Sequence, residues 1–319
     1  MESASVFQNA FNDETLSPDM RSDIPDPRRQ DAISWPKPDP SLAPGLYIVS
    51  TPIGNLRDIT FRALDVLAGA DLILAEDTRI TRRLLETYGV TTTMRAYHDH
   101  NAAEIRPEII AQLEGGARIA QVSDAGTPLV SDPGFKLARD AIDAGIGVIP
   151  IPGASAALAG LAAAGLPTDA FLFAGFTPPK SGKRAAFFET FARVPATLIF
   201  YESGPRLADS LAAMADVFGP RPAAVARELT KRFEETVRGD LPDLAARYAE
   251  SGAPKGEIVV LVGPPSEAEA EWDDARIDTA LKEAMEADSV KDAAAAVAKA
   301  SGLPRRDLYQ RALALKSRA

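Results

Sequence analysis

The chain has 319 residues, of which 46% are hydrophobic and 25% charged, with a formal net charge of −10 and no cysteine. The length suits two average domains with additional segments, and the apolar fraction can supply their cores. The lack of cysteine excludes disulfide scaffolds, zinc ribbons and cysteine nucleophiles, and His98 and His100 are the only histidines available for a metal site. An acidic balance also argues against a nucleic-acid partner when only the bulk charge is considered.

Two stretches bear on the compartment of the protein. The first 30 residues are polar and acidic, unlike a signal peptide. Residues 144–168 carry no charge, but they contain three prolines and five glycines, so we expect a strand, a turn and a short helix there instead of a membrane span. We therefore expect a soluble cytoplasmic protein in a reducing compartment.

The first part of the chain alternates short apolar runs with helical patterns. Residues 1–44 contain seven prolines and few aliphatic side chains, which predicts a disordered extension. The predicted strands that follow are residues 46–50, 71–75, 118–123, 147–151 and 171–174. The predicted helices are residues 60–67, 78–88, 101–113, 133–144 and 154–164. This alternation predicts an α/β domain over residues 45–168, with a mostly parallel sheet covered by helices on both faces.

A second set of elements predicts another α/β domain over residues 169–265. Its predicted strands are residues 197–201, 223–227 and 257–262, with a helix at 206–218. Residues 266–288 form a predicted acidic linker, since residues 267–288 hold nine acidic and two basic residues. Residues 289–319 hold two acidic and seven basic residues and are predicted as two short helices. Their layout fits a helix-turn-helix module that faces RNA, or a plain helical hairpin that caps the sheet.

Three strand ends carry residues that suit a ligand site, because ligands of open α/β sheets bind beyond the carboxyl ends of the strands. They are residues 50–56 (STPIGNL), 123–128 (SDAGTP) and 151–156 (IPGASA). An ordinary tight turn explains the first equally well, and a helix cap explains Ser155. Capping does not explain Asp124, so this carboxylate favours a functional interpretation. A dinucleotide-binding glycine motif and a Walker A loop are both absent from the sequence, which disfavours hydride transfer and nucleotide hydrolysis.

Taken together in chain order, eight segments resemble the tetrapyrrole-methylase (class III) superfamily and, within it, the bacterial family that methylates the RNA of the small ribosomal subunit. They are residues 51–58 (TPIGNLRD), 75–79 (AEDTR), 123–128 (SDAGTP), 131–134 (SDPG), 152–155 (PGAS), 200–206 (FYESGPR), 227–231 (RELTK) and 256–257 (GE). Gly204 departs from the family pattern, in which a serine or a similar residue precedes the proline.

The resemblance implies a methyl transfer from S-adenosylmethionine to the 2′-hydroxyl of a cytidine in the decoding region of 16S rRNA, within the 30S subunit. It implies a cofactor held in a cleft between two α/β domains, a homodimer, and no metal or membrane partner. Motif by motif, it assigns the cofactor contacts to Pro52, Gly54, Asp124, Thr127, Ser155, Ala156, Phe176, Ala226 and Gly256.

The chemistry requires a ribose hydroxyl to be aligned with the activated methyl group and to lose a proton. Candidate catalytic residues are Glu76 and Asp77, with Lys231 as an electrostatic partner, although a helix cap explains residues 75–79 as well. Candidate RNA contacts are Arg79, Arg206, Lys183, Arg184, Arg305 and Arg306. The His98-Asp99-His100 segment fits a surface loop or an RNA contact better than a metal site.

Two other functions stay open at this point. A class III methylase could act on a tetrapyrrole precursor or on a protein side chain, and the fold could serve a non-catalytic RNA-binding assembly factor. The first strand-end loop and the basic tail favour the RNA methyltransferase. The basic tail also weakens the argument from net charge against a nucleic-acid partner, because nucleic-acid binding depends on where the positive groups lie.

Overall fold

The computed structural model describes residues 42–130, 134–266, 274–301 and 303–317. Most of the predicted extension and residues 131–133 of the SDPG motif therefore lie outside the described residues. Contacts divide the chain into two units: of the described residues, 42–52 and 56–154 belong to the first and those from 155 onward to the second. The division falls at Ala154, earlier than the predicted boundary after residue 168. Residues 53–55 group with the second unit although they follow the first strand.

In its described residues, the first unit contains five strands and four helices that alternate along the chain. The strands are β1 (Gly45–Val49), β2 (Leu72–Ala75), β3 (Met94–Ala96), β4 (Arg118–Val122) and β5 (Val148–Ile151). The helices are α1 (Phe61–Gly69), α2 (Thr78–Thr87), α3 (Ala102–Glu114) and α4 (Phe135–Asp143), with a short 3-10 turn at Leu56–Asp58. The sheet order is β3-β2-β4-β1-β5, and all neighbouring strands are parallel.

Alternate residues of β1 belong to two different cores, as expected for a parallel sheet buried on both faces. Tyr47 and Val49 pack in a cluster with residues of α1 and α2. Leu46 and Ile48 pack in a second cluster with residues of α3 and α4. The predicted parallel sheet with helices on both faces is therefore confirmed for this unit. The sequence analysis missed β3, which has only three residues.

The second unit begins with α5 (Ala156–Ala164) and holds a mixed sheet. Its strands are β6 (Phe171–Phe176), β7 (Thr197–Ser203), β8 (Pro222–Arg227), β9 (Glu235–Asp240) and β10 (Glu257–Val262). Further helices are α6 (Ser181–Glu189), α7 (Gly204–Phe218) and α8 (Leu241–Ser251). In the order β6-β7-β10-β8-β9, only β6 and β7 are parallel. The predicted α/β class is confirmed, but this sheet is not mostly parallel.

The two faces of this second sheet are covered by different helices. Phe200, Val225 and Val260 pack in one core with residues of α6, α7 and α8. On the opposite face α5 approaches closely at Gly160, where an added Cβ would lie 3.2 Å from Val259 Cγ1. The sequence analysis missed α6, α8 and β9. The last of these is an edge strand of sequence ETVRGD, which has no apolar run to reveal it.

The described residues of the C-terminal segment form three helices: α9 (Asp274–Ala287), α10 (Val290–Ser301) and α11 (Arg305–Lys316). They share one core, in which Ile277, Leu281, Val297 and Leu308 are buried. The expectation of a linker over residues 266–288 was therefore wrong for α9. The buried Ile277 and Leu281 are four residues apart, as on one face of a helix, and the acidic residues within 274–287 belong to this helix and not to a linker.

Candidate active site

The carboxyl ends of the five parallel strands lie at one edge of the first sheet, and the loops there contact one another. Thr51 forms two backbone hydrogen bonds with Gly126, of 2.8 and 3.1 Å. Ser50 Oγ lies 3.0 Å from Thr127 Oγ1, and Thr51 Oγ1 donates to the carbonyl oxygen of Ser123. Two of the three predicted cofactor loops, which contain Pro52 and Thr127, are thus brought together in the fold.

The third predicted cofactor loop packs against the first through a glycine. A Cβ added at Gly153 would lie 2.8 Å from Ser50 Cβ, so the close approach of the two loops requires glycine at this position. Ser155 is the N-cap residue of α5, but its side chain makes no capping hydrogen bond in the described chain. The capping interpretation of Ser155 therefore fails, and its hydroxyl group is half-buried at the start of the helix, with Ala156 as the first helical residue.

Asp124 and Asp77 link the loops after β4 and β2. The backbone N–H of Asp77 donates a hydrogen bond of 2.9 Å to Asp124 Oδ1. Burial raises the pKa of Asp124 above its ordinary value, and the charge of Asp77 adds to this rise, while the hydrogen bond from the Asp77 N–H and the charge of Arg79 oppose it. A half-buried carboxylate at a strand end is a suitable acceptor for hydroxyl or amino groups of a ligand.

Asp77 is an unsuitable proton acceptor in this structure. Its side chain caps α2 by accepting from the backbone N–H of Arg79 at 2.8 Å, and it also pairs with the Arg79 side chain. The hydrogen bonds from Arg79 lower the pKa of Asp77 to about 2. The capping alternative therefore explains Asp77, and of the two predicted bases the neighbouring Glu76, which is half-buried, is the better candidate.

Lys231 is held by two carboxylates in the second unit. Its Nζ lies 3.0 Å from Glu228 Oε1 and 3.0 Å from Glu257 Oε2. Burial acts to lower the pKa of Lys231, but the hydrogen bonds and charges of the two glutamates outweigh it, and the net shift is upward. Lys231 therefore carries a proton at neutral pH, which is the charge state that a role as electrostatic partner would require.

Gly54 lies against this lysine. A Cβ added at Gly54 would lie 2.4 Å from Lys231 Cγ, and the neighbouring Asn55 N–H donates to Thr230 Oγ1 at 3.2 Å. Glu228 and Thr230 have positive φ angles of 50° and 65°, which are uncommon for residues other than glycine. Backbone strain of this kind concentrates at functional sites, which supports a role for the 228–231 segment.

The remaining predicted cofactor residues of the second unit lie in three places. Phe176 ends β6 with 60% of its surface exposed, and its ring packs edge-on against Tyr201 at 5.3 Å between centroids. Ala226 is fully buried in β8. Gly256 has a φ of 104°, and an added Cβ there would lie 2.5 Å from the Glu228 side chain. The lack of a side chain at Gly256 therefore leaves room for the Glu228 side chain.

A buried carboxylate that the sequence analysis missed lies at the end of β7. Glu202 accepts hydrogen bonds from the hydroxyl groups of Thr177 and Ser210 and, at 2.7 Å, from the backbone N–H of Ser203. Arg206 Nη2 lies 2.8 Å from Glu202 Oε1. The sequence signals were its position directly after the apolar run TLIFY, where an unpaired carboxylate would be costly, and its place in the motif FYESGPR.

Two arginines predicted to contact RNA have structural partners instead. Arg206 donates to Ser203 Oγ at 2.9 Å and to the Thr177 carbonyl oxygen at 3.3 Å, besides its ion pair with Glu202. Arg184 is only 4% exposed and pairs with Asp209 at 3.5 Å. A phosphate cannot reach a buried guanidinium, so the prediction for Arg184 was wrong. Arg206 connects β6, β7 and α7, and these bonds leave it little capacity for RNA.

The other predicted RNA contacts lie at the surface. The side chain of Arg79 is 89% exposed, and Lys183, Arg305 and Arg306 are also exposed. His98 and His100 pack edge-on at 5.9 Å between ring centroids. Across the described ranges, no group of three or more metal-ligating side chains comes together, and no helix is long and apolar enough to cross a membrane.

Comparison with known proteins decides the family. Residues 45–245 match the family described as Tetrapyrrole (Corrin/Porphyrin) Methylases, and residues 271–316 match the RsmI C-terminal HTH domain. The chain is 55% identical over 277 residues to the ribosomal RNA small subunit methyltransferase I of Mesorhizobium japonicum, which covers 86% of this chain and 93% of that relative. This chain belongs to the ribosomal RNA small subunit methyltransferase I family.

A second member of the family, from Erythrobacter litoralis, is 52% identical over 276 residues, covering 86% of this chain and 97% of the relative. Among solved structures, a diphthine synthase covers 68% of this chain and 89% of its own, with a TM-score of 0.54 and 16% identity. This structural likeness confirms the class III fold. Family membership confirms the resemblance inferred from the eight motifs, and the C-terminal match favours the helix-turn-helix alternative over a plain hairpin.

Proposed function

We propose that this chain transfers a methyl group from S-adenosylmethionine to the 2′-hydroxyl of a cytidine in the decoding region of 16S rRNA. The observation that carries the proposal is membership of the ribosomal RNA small subunit methyltransferase I family along 86% of the chain. The bound cofactor supplies a methyl group that is already activated by its sulfonium. The protein then has to bind the cofactor, orient the ribose and manage one proton.

The loops that follow β1, β4 and β5 suit the cofactor. Asp124 offers a half-buried carboxylate, while Thr127 adds a hydroxyl group that already lies beside Ser50. Ser155 offers a hydroxyl group that does not cap its helix. Pro52, Gly54 and Ala156 present small or rigid surfaces that let a ligand approach the backbone. These features fit the adenosyl and amino acid groups of the cofactor by hydrogen-bonding capacity.

Glu76 and Lys231 are the two proposed catalytic residues. Glu76 follows β2 at the carboxyl edge of the first sheet and would accept the proton of the ribose hydroxyl. Lys231 keeps its positive charge because Glu228 and Glu257 raise its pKa, so it would stabilise the developing alkoxide. Arginine and lysine residues at the surface, Arg79, Lys183, Arg305 and Arg306, would contact phosphates. We also propose a homodimer, which sedimentation analysis would test.

The decisive experiment uses 30S subunits from cells that lack this gene. The purified protein and methyl-labelled S-adenosylmethionine should add one methyl group per subunit, and nucleoside mass spectrometry should identify it as 2′-O-methylcytidine. A Lys231→Met variant should bind the cofactor normally but lose most of its activity. Label in a protein or a tetrapyrrole, with none in 16S rRNA, would contradict the proposal. Binding of 30S subunits without any cofactor-induced rise in Tm would indicate an assembly factor instead.

The C-terminal module has its own test. Arg305 and Arg306 begin α11 and are both exposed. Replacing both by alanine should weaken binding to 30S subunits about tenfold or more, because each lost phosphate contact also removes counterion release. Lys282→Ala, in the exposed part of α9, is the control for a lost charge on the same module. If the double alanine variant lost 30S binding and cofactor affinity to the same extent, the module would be structural.

A further inference from the structure

A cleft of about 220 Å³ lies at the carboxyl edge of the first sheet, beside β3. We call it the β3 cleft. Its walls come from the segment after β3, the first turns of α3 and the start of α4, and include Tyr97, Asp99, Arg106, Phe135 and Lys136. None of these residues belongs to the cofactor loops or to the two catalytic residues proposed above. The cleft contains Asp99 of the His98-Asp99-His100 segment, for which the sequence analysis left a surface loop or an RNA contact open.

Two of the lining residues, Arg106 and Lys136, are cations that can contact an anionic group. Arg106 Nε is fixed by an ion pair of 2.6 Å with Asp140 Oδ2, so its guanidinium is held in the wall of the cleft. Burial raises the pKa of Tyr97, and the Arg106 guanidinium beside it opposes that rise. Lys136 is exposed in the first turn of α4, where the N–H groups of the helix add partial positive charge. Asp99 is the single acidic residue among the described lining residues.

An aromatic ring completes the arrangement. Phe135 is 64% exposed, although a ring of this size is usually buried. The ring lies at the mouth of a cleft that also presents Arg106 and Lys136. Exposed aromatic rings beside cations are the combination by which proteins bind single-stranded nucleic acid, with bases stacked on the rings and phosphates at the cations. Asp99 could accept a hydrogen bond from a base amino group or a ribose hydroxyl.

The strand order relates the β3 cleft to the methyl-transfer chemistry. In the order β3-β2-β4-β1-β5, β2 carries Glu76 and Asp77, and β4 is followed by Asp124 and Thr127. The cleft therefore lies two strand spacings, about 10 Å, from the cofactor loop of β4 on the same edge. A polynucleotide whose target ribose lies near Glu76 would pass this cleft with a neighbouring nucleotide.

We propose that the β3 cleft binds one nucleotide that flanks the methylated cytidine, with its phosphate at Arg106 and Lys136 and its base on Phe135. The proposal rests on the proposed function, because it takes single-stranded ribosomal RNA as the substrate. It assigns the cleft to substrate binding alone, since no group in it needs to act on the transferred methyl.

The test compares Lys136 and Arg139, two cationic residues of α4, in the full-length protein. Lys136→Ala removes a cation from the cleft, and Arg139→Ala removes a cation that is also exposed but does not line it. Affinity for under-methylated 30S subunits is measured at several salt concentrations. Lys136→Ala should weaken binding about tenfold and reduce the salt slope by about 0.7, the value for one phosphate contact on a single strand. Arg139→Ala should change neither quantity to that extent.

Phe135→Ala supplies an independent test, because the ring is exposed and its loss should leave folding intact. It should raise the KM for 30S subunits about tenfold without changing the salt slope, as expected for a lost stacking contact. The affinity for S-adenosylmethionine should stay at the wild-type value in all variants. Wild-type KM and salt slope in both Lys136→Ala and Phe135→Ala would overturn the proposal. If the wild-type protein bound 30S subunits but did not methylate them, the proposed function would fail while the binding assay still tested the cleft.

Discussion

The backbone N–H of Asp77 lies 2.9 Å from Asp124 Oδ1, and this hydrogen bond ties the loop after β2 to the loop after β4. Asp124, which we propose to contact the cofactor, thus also holds the segment that contains Glu76 and Asp77 through one of its carboxylate oxygens. Asp124 therefore combines a structural role with its proposed binding role. The two roles can be separated because an asparagine preserves the acceptor oxygen but removes the charge.

The first prediction uses that difference. Asp124→Asn should unfold in urea much like the wild-type protein, while Asp124→Ala should lose about 1–2 kcal/mol of unfolding free energy because the Asp77 N–H loses its acceptor. Both variants should lose most of the cofactor-induced rise in Tm, since the ionised carboxylate is the stronger acceptor. An Asp124→Asn variant with wild-type cofactor affinity would show that the charge at this position is not used for binding.

A second prediction concerns pH and Asp77. The hydrogen bonds from Arg79 depress the pKa of Asp77 from 3.8 to about 2, so the ionised side chain stabilises the folded state. That contribution is fully present above pH 3.8 and is lost as the pH falls through about 2. Asp77→Asn keeps a helix-capping side chain without the charge. The stability difference between wild type and Asp77→Asn should be constant from pH 7 to 5 and shrink below pH 4, as measured by urea unfolding. A difference that grew on acidification would contradict the assignment.

The third prediction tests the contact between Gly54 and Lys231. Gly54→Ala would place a Cβ 2.4 Å from Lys231 Cγ, and the flexible lysine side chain would move away from its place between Glu228 and Glu257. We expect kcat to fall about tenfold or more with little change in Tm, because the displaced charge no longer stabilises the reacting oxygen. Gly182→Ala, where an added Cβ meets nothing within 4 Å, is the control and should leave kcat unchanged.

The fourth prediction concerns Gly204, the position that departs from the family pattern. An added Cβ would lie 1.7 Å from the carbonyl oxygen of Pro254, and this backbone atom cannot rotate away. Gly204→Ala should therefore destabilise the protein by about 1–3 kcal/mol, as overpacking does in well-packed cores. Gly182→Ala, also in the first turn of its helix, should be neutral or slightly stabilising. An unchanged Tm for Gly204→Ala would show that the Pro254 segment is free to move.

Local sequence patterns predicted many of the strands and strand-end loops of this protein. The apolar runs 46–50, 71–75 and 118–123 predicted β1, β2 and β4 within one or two residues, because buried parallel strands are nearly continuous in hydrophobic character. The motifs at the strand ends predicted the loops that meet at Thr51, Gly126 and Thr127. Those loops meet because the carboxyl ends of parallel strands share an edge. The elements missed were β3, with three residues, and β9, an edge strand without apolar alternation.

Charge along the chain could not reveal which ionic groups have partners. The sequence places Arg184 beside Lys183 and Arg206 beside a glycine and a proline, yet Arg184 is buried and Arg206 is bound to Glu202, Ser203 and Thr177. The acidic composition around α9 predicted a linker and not a helix, because the burial of Ile277 and Leu281 depends on contacts with α10 and α11. The absence of cysteine and the signs of the regional charges followed from composition alone. Which charges meet RNA and which meet each other was decided by the tertiary fold, since burial and pairing depend on residues far apart in the chain.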